Sequence, residues 1–233
     1  MLHADGRPEL VTKGDIEYEH GNYERAYEYY LNAGVNDPHI SFNIASIISH
    51  FRKIGLICEY NAYVDLILEE LQYVIEQDST WLEKILTDTI FSPIHTTVLY
   101  NVWKGYNLDD DCSISAILPE VSWYVMVEPV TATDGEIIFQ TDGSVFVDWG
   151  TYYDYDEEQD KFLPRSFGKQ KGHYQVKERK IYIQWDQTYD NFYNEDLKRE
   201  SVFILEQNGV WGILKDASSD QEIFYDIPDD CNT

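Results

Sequence analysis

The hydrophobic positions of this chain follow two different periods. From Val11 to Val102 apolar residues return every three or four positions, the spacing of one helix face; from Ser122 to Asp226 they alternate with polar ones, the spacing of one sheet face. In the first region Val11, Gly14 and Tyr18 predict one helix, and Ala26, Tyr30 and Ala33 a second. After Pro38 a third is marked by Ile40, Ile44, Ile47, Ile48 and Phe51 and ends near Gly55. A fourth carries Tyr60, Val64, Ile67, Leu68, Leu71 and Val74 along one face. A short helix with Trp81, Leu82 and Ile85, capped by Asp78 or Ser79, follows, and a last one holds Ile94, Val98 and Val102 with Trp103 beside them.

In the second region eight stretches rich in Val, Ile, Tyr, Phe and Trp predict strands: 122–128, 136–140, 144–152, 173–177, 180–186, 201–207, 210–214 and 222–226. Asp142-Gly143 and Asn208-Gly209 sit between pairs of them and favour the tight hairpin turn that needs positive φ; Glu178-Arg179 stands in the same place between 173–177 and 180–186. No helix long enough for a parallel crossover separates the strands. The fold class is therefore α+β, with α-helical hairpins followed by an antiparallel β-barrel or a strongly curved β-meander. Residues 9–105 form the helical domain and 121–228 the β domain. Between them 106–120, with Asp109, Asp110, Asp111 and Pro119, reads as a linker.

Within the helical region Gly21, Ala26, Tyr30, Ala33 and Pro38 follow one another at steps of five, four, three and five. This spacing resembles one tetratricopeptide (TPR) repeat: a small residue at the turn, small residues and a ring on the second helix, and a proline that closes the unit. Phe42 to Ser46 is similar to the opening of a further unit, and Asp78 to Trp81 to the passage into a capping helix. The resemblance implies a helix-pair array that binds protein partners. About two pairs are present, so the array's apolar face is expected to pack against the second half. Gly172 to Val176 followed by Ile181 to Ile183 is similar to strand pairs of lipocalin-like barrels, which implies a small-molecule site. Val145, Val147 and Trp149 alternate with Phe146 and Asp148, and Ile181, Ile183 and Trp185 with Tyr182 and Gln184; one set in each strand faces the core, and the bulk of the inward sets points to a filled interior.

Charge changes the picture of the partner. The formal net charge is -26, from seven basic against nineteen acidic residues in 1–115 and ten against twenty-four in the rest. No basic stripe is available to neutralise phosphates, so nucleic acid and an anionic membrane surface are excluded as partners and a basic protein is compatible. Cys58, Cys112 and Cys231 are too few and too far apart for a disulfide framework or a paired metal motif. The opening residues lack the apolar stretch of a signal peptide and no run approaches a membrane span, so a cytoplasmic protein is expected.

Candidate chemistry is sparse. Asp154, Asp156, Glu158 and Asp160 alternate as calcium ligands could, but the glycine and the closing Glu of an EF-hand loop are absent, and a solvated hairpin tip is the reading. The six His are scattered, and no nucleophile elbow or phosphate loop occurs. No cofactor, metal site or catalytic residue is assigned. The expectation is a non-catalytic protein-interaction or scaffold protein, with a small-molecule-binding barrel and an acidic inhibitor or immunity-type protein covering a basic surface as alternatives. Tyr27 and Tyr30 are assigned to the core, and Tyr23 and Tyr29 are the candidate partner-binding residues.

Overall fold

The computed structural model describes residues 7–34, 36–56, 63–125, 132–133, 135–156, 161–166, 168–189, 199–219 and 221–226. It is an α+β protein in which helices precede a closed antiparallel β-barrel. The described residues fall into two compact units, 7–94 and 95–226.

The first unit opens with helices α1 (Arg7–Glu19) and α2 (Tyr23–Ala33), joined through Gly21 at φ 75°. Their close approach is set at Gly14, where an added Cβ would lie 2.5 Å from Tyr30 Cε1. Glycine there makes room for the fully buried Tyr30 ring, and Ala26 and Ala33 complete the same face of α2. Gly34 at φ 56° stops α2, its N–H returning to the Tyr30 carbonyl. Helix α3 (Pro38–Lys53) starts on Asp37, whose carboxylate accepts the His39 N–H at 2.9 Å, with proline in the first turn where no donor is needed.

Helix α4 (Val64–Gln77) buries Val64, Ile67, Leu68, Leu71 and Val74, as the spacing predicts; Tyr60 lies outside the described residues. Helix α5 (Trp81–Thr87) and a 3-10 turn at Thr89–Ile94 place Trp81 and Phe91 against Phe42, ring centroids 4.9 and 5.5 Å away. Lys84 covers the Phe42 ring at 4.0 Å.

The second unit begins at His95 and contains helix α6 (Val98–Trp103) and helix α7 (Asp111–Ile117) before the first strand. Residues 106–120, expected as a linker, thus hold a helix. The Asp run that suggested a loop supplies its cap: Asp110 accepts the Ser113 N–H at 2.8 Å, and Ile114 and Ile117 are buried.

The strands are β1 (Trp123–Val125), β2 (Ala132–Thr133), β3 (Gly135–Phe139), β4 (Ser144–Asp148), β5 (Thr151–Asp156), β6 (Lys161–Ser166), β7 (Lys169–Lys177), β8 (Lys180–Tyr189), β9 (Glu200–Asn208), β10 (Trp211–Asp216) and β11 (Glu222–Asp226). Eight of them close in the order β1-β11-β10-β9-β8-β7-β4-β3, and β2, β5 and β6 form a separate three-stranded sheet. The stretch 144–152, expected as one strand, breaks at Gly150, where φ is 88° and the N–H bonds the Asp148 carboxylate at 3.0 Å; the chain there leaves the barrel for the β5–β6 hairpin. The end of the acidic run, 157–160, lies outside the described residues.

All three predicted turns carry positive φ, 84° at Gly143, 63° at Gly209, and 54° and 61° at Glu178 and Arg179. The last pair has no glycine to relieve the strain. Its compensation is Asp111 at the start of α7, whose two carboxylate oxygens accept the Glu178 and Arg179 N–H groups at 2.9 and 2.7 Å. Inside, Phe203 and Phe224 meet edge to face at 5.9 Å, and Trp149 lies 5.5 Å from Phe224. These rings share one core with Val98, Ile114 and Ile117, so side chains of the preceding helices help to fill the barrel.

Candidate functional site

In the helical unit α1 and α3 present a continuous seam of polar and aromatic side chains. On α3, His39, Asn43, Ser46 and His50 recur at steps of four, three and four, which puts them on one stripe. Asp15 and Tyr18 on α1 and Tyr23 at the start of α2 run beside it.

At one end of the seam Asp15 gathers a network. The Tyr30 hydroxyl donates to Asp15 Oδ1 at 2.8 Å, and Asn43 Nδ2 donates to the Tyr30 hydroxyl at 2.9 Å. His39 Nε2 lies 3.3 Å from Asp15 Oδ1 and 3.2 Å from Asn43 Nδ2. A ring nitrogen either donates or accepts, so His39 bonds Asp15 through one protonation or tautomeric state and Asn43 through another. Burial, followed by the bond to Asp15, raises the Tyr30 phenol far above its ordinary range. The phenol therefore stays a donor. Tyr30 and Asn43 are buried, whereas Asp15 and His39 reach water, so the network ends in an exposed acceptor.

Further along, burial raises the Tyr18 phenol although a hydrogen bond with Ser46 opposes this. Tyr23 stands 5.5 Å from the Tyr18 ring, edge on, and 4.6 Å from the His50 ring. Of the two candidate residues Tyr23 thus belongs to the seam. Tyr29 is also half-buried, but six residues separate the two, which places them about 120° apart on the helix. Tyr27, assigned to the core, is half-buried, and Tyr30 is fully buried. The Asp15, His39 and Asn43 constellation is the part that spacing missed. Its sequence signal was the polar Asn43 among the inward positions of α3, with His39 one turn before it.

The seam holds carboxylate, phenol, imidazole and amide groups, and no Cys, Ser or Lys joins the Asp15 network as a nucleophile. Among the described residues no group of three His, Cys, Asp or Glu is placed to hold a metal ion. Cys112 is exposed and unpaired, and Cys58 and Cys231 lie outside the described residues. No described helix is long and apolar enough to cross a membrane.

The barrel unit carries a concavity on its outer face. Register pairs His173 with Gln184 and Gln184 with Glu200, and in the next row Gln175 with Tyr182 and Tyr182 with Val202. These outward side chains line a groove of about 350 Å³. Comparison with known proteins adds no assignment: no family model matches the chain, and no curated protein matches its sequence.

Proposed function

We propose that this protein is a non-catalytic interaction module whose helical unit, a TPR-like pair of helix hairpins, binds a protein partner of basic character. The observation that carries this reading is the α1–α3 seam. It ends in a half-exposed carboxylate at Asp15, held in place by Tyr30, and continues into the ring cluster of Tyr18, Tyr23 and His50. A carboxylate accepts Lys, Arg or backbone N–H donors, and neighbouring aromatic faces attract cations and bury apolar stems. The formal charge of -26 favours a basic partner at long range.

Affinity capture from host extract, with wild type beside Asp15→Asn and Tyr23→Ala, tests the proposal. Recovery of one protein by wild type and its loss from both variants supports it. Equal recovery by all three overturns the assignment to the seam.

The second reading is a small-molecule-binding barrel. Its support is closure by eight strands, a size that either fills with side chains or holds one small ligand. Against it stands the described interior, occupied by Trp123, Phe203 and Phe224 together with residues of α6 and α7. Native mass spectrometry that found a bound small molecule would favour it. The reading as an acidic inhibitor shares the basic partner and differs in what the partner loses on binding.

A further inference from the structure

Residues 95–121 form a strap over one end of the barrel. Because the barrel strands run antiparallel, the turns at 142–143, 178–179 and 208–209, the start of β1 and the end of β11 all lie at the same end. The strap meets each side of that end. Asp111 holds the 178–179 turn, Trp123 Nε1 donates to the Leu118 carbonyl at 3.2 Å, and α6 lies on β10. The contact with β10 is close: a Cβ at Gly212 would fall 2.2 Å from Val98 Cγ2 and 2.9 Å from Asp226 Oδ2.

Asp226 is the bond between strap and barrel. Its Oδ2 accepts the Val98 N–H and its Oδ1 the Gly212 N–H, each at 2.6 Å, and the side chain is wholly buried. The charged groups on the surrounding elements have partners of their own. Lys104, which follows α6, bonds Asn101, Lys215 on β10 pairs with Glu206, and Glu222 on β11 accepts from Tyr225; His95 precedes α6, Asp216 ends β10, and β1 has no charged residue. None of these groups contributes to the shift of the Asp226 carboxyl. Burial, the largest influence, raises it well above its ordinary value, and the backbone N–H groups of Val98, Gly212 and Asp226 itself oppose this.

We infer that Asp226 is a proton-operated clasp: with its carboxyl neutral it holds the 95–121 strap closed over the barrel end, and on ionisation it loosens that strap. A buried carboxylate held by backbone N–H donors and, among the described residues, by no cation is under-compensated for the hydration it has lost. A neutral carboxyl still accepts at its carbonyl oxygen and, more weakly, at its hydroxyl oxygen. In the open strap water returns the group to its ordinary pKa, about 3.9. Closure therefore takes up a proton: it is firmest below that value, weakens as pH rises through the window up to the raised value, and is level above it.

The test follows the Asp226 carboxyl by carbon NMR while amide exchange is measured at Val98 and Gly212 and corrected for its intrinsic pH dependence. The expected result is a carboxyl midpoint above the ordinary value, with exchange at both amides rising tenfold or more across that same step. Trp185, whose N–H bonds the Arg199 carbonyl at 2.8 Å at the other end of the barrel, serves as a control without the step. Asp226→Asn is expected to abolish the step. A carboxyl that titrates in the ordinary range, or exchange that shows no step where it titrates, overturns the inference, and both are read on the wild-type protein should the variant fail to fold.

Discussion

The two units treat their buried polar groups in opposite ways. In the helical unit the chain of bonds from Asn43 through Tyr30 to Asp15 begins in the core and ends at the surface, where Asp15 and His39 meet water. In the barrel unit the bonds of three side chains end instead on other groups of the same unit. Trp185 Nε1 donates to Ser201 Oγ at 2.9 Å, Trp149 Nε1 to Gln170 Oε1 at 3.1 Å, and Asp226 takes two backbone N–H groups. Closed bonding rigidifies a fold, whereas a network that opens to solvent leaves acceptor capacity for a partner. This difference puts the binding proposal on the helices and the structural role on the barrel.

The sharpest way to break the comparison is at Asp226. Asp226→Ala leaves two buried N–H donors without an acceptor, at about 1–3 kcal/mol each. Chemical denaturation with peptide-resolved hydrogen exchange should show the loss in 95–226 and unchanged protection in 7–94. Loss spread evenly over both would mean that the two units do not differ in this way.

A smaller effect is expected from Gly14→Ala. Alanine favours a helix by about 1 kcal/mol over glycine, but the new Cβ enters the Tyr30 ring, and overpacking of this kind costs about 1–3 kcal/mol. A net loss confined to the helical unit is the predicted outcome in the same measurement, together with weakened partner capture, since Tyr30 carries Asp15. Stabilisation by Gly14→Ala would show that the ring yields easily and that the network is not held by packing. The smallest effect belongs to Asp110→Ala, which removes the cap of α7. It should cost about 1 kcal/mol and leave the helical unit untouched.

What the sequence made legible follows the range of the interactions. The helices α1 to α4 and the eight barrel strands were readable because periodicity and turn residues are local, and Gly143 and Gly209 announced their hairpins. Helix α7 was not. It is only about two turns long, its cap is an Asp within an acidic run, and its apolar residues are buried by strands distant in sequence. The hairpin β5–β6 was masked for a similar reason: Gly150 divides what alternation alone presents as one strand. At the candidate site Tyr23 could be singled out as an aromatic residue on α2. Its separation from Tyr29 around the helix follows from their spacing, whereas the meeting of Asp15, Tyr30, His39 and Asn43 from three helices depends on tertiary packing that no spacing encodes.

The claim that the helical seam receives a basic partner is tested most directly by association kinetics with the captured partner at two ionic strengths. Exposed charges are screened over about 10 Å at 0.1 M salt. Wild type is predicted to associate fast at low salt and to slow steeply as salt rises, with Asp15→Asn flattening the dependence and Tyr23→Ala speeding dissociation while leaving the salt slope intact. An association rate level with salt in the wild type, or a partner that binds both variants as tightly as wild type, would contradict the account.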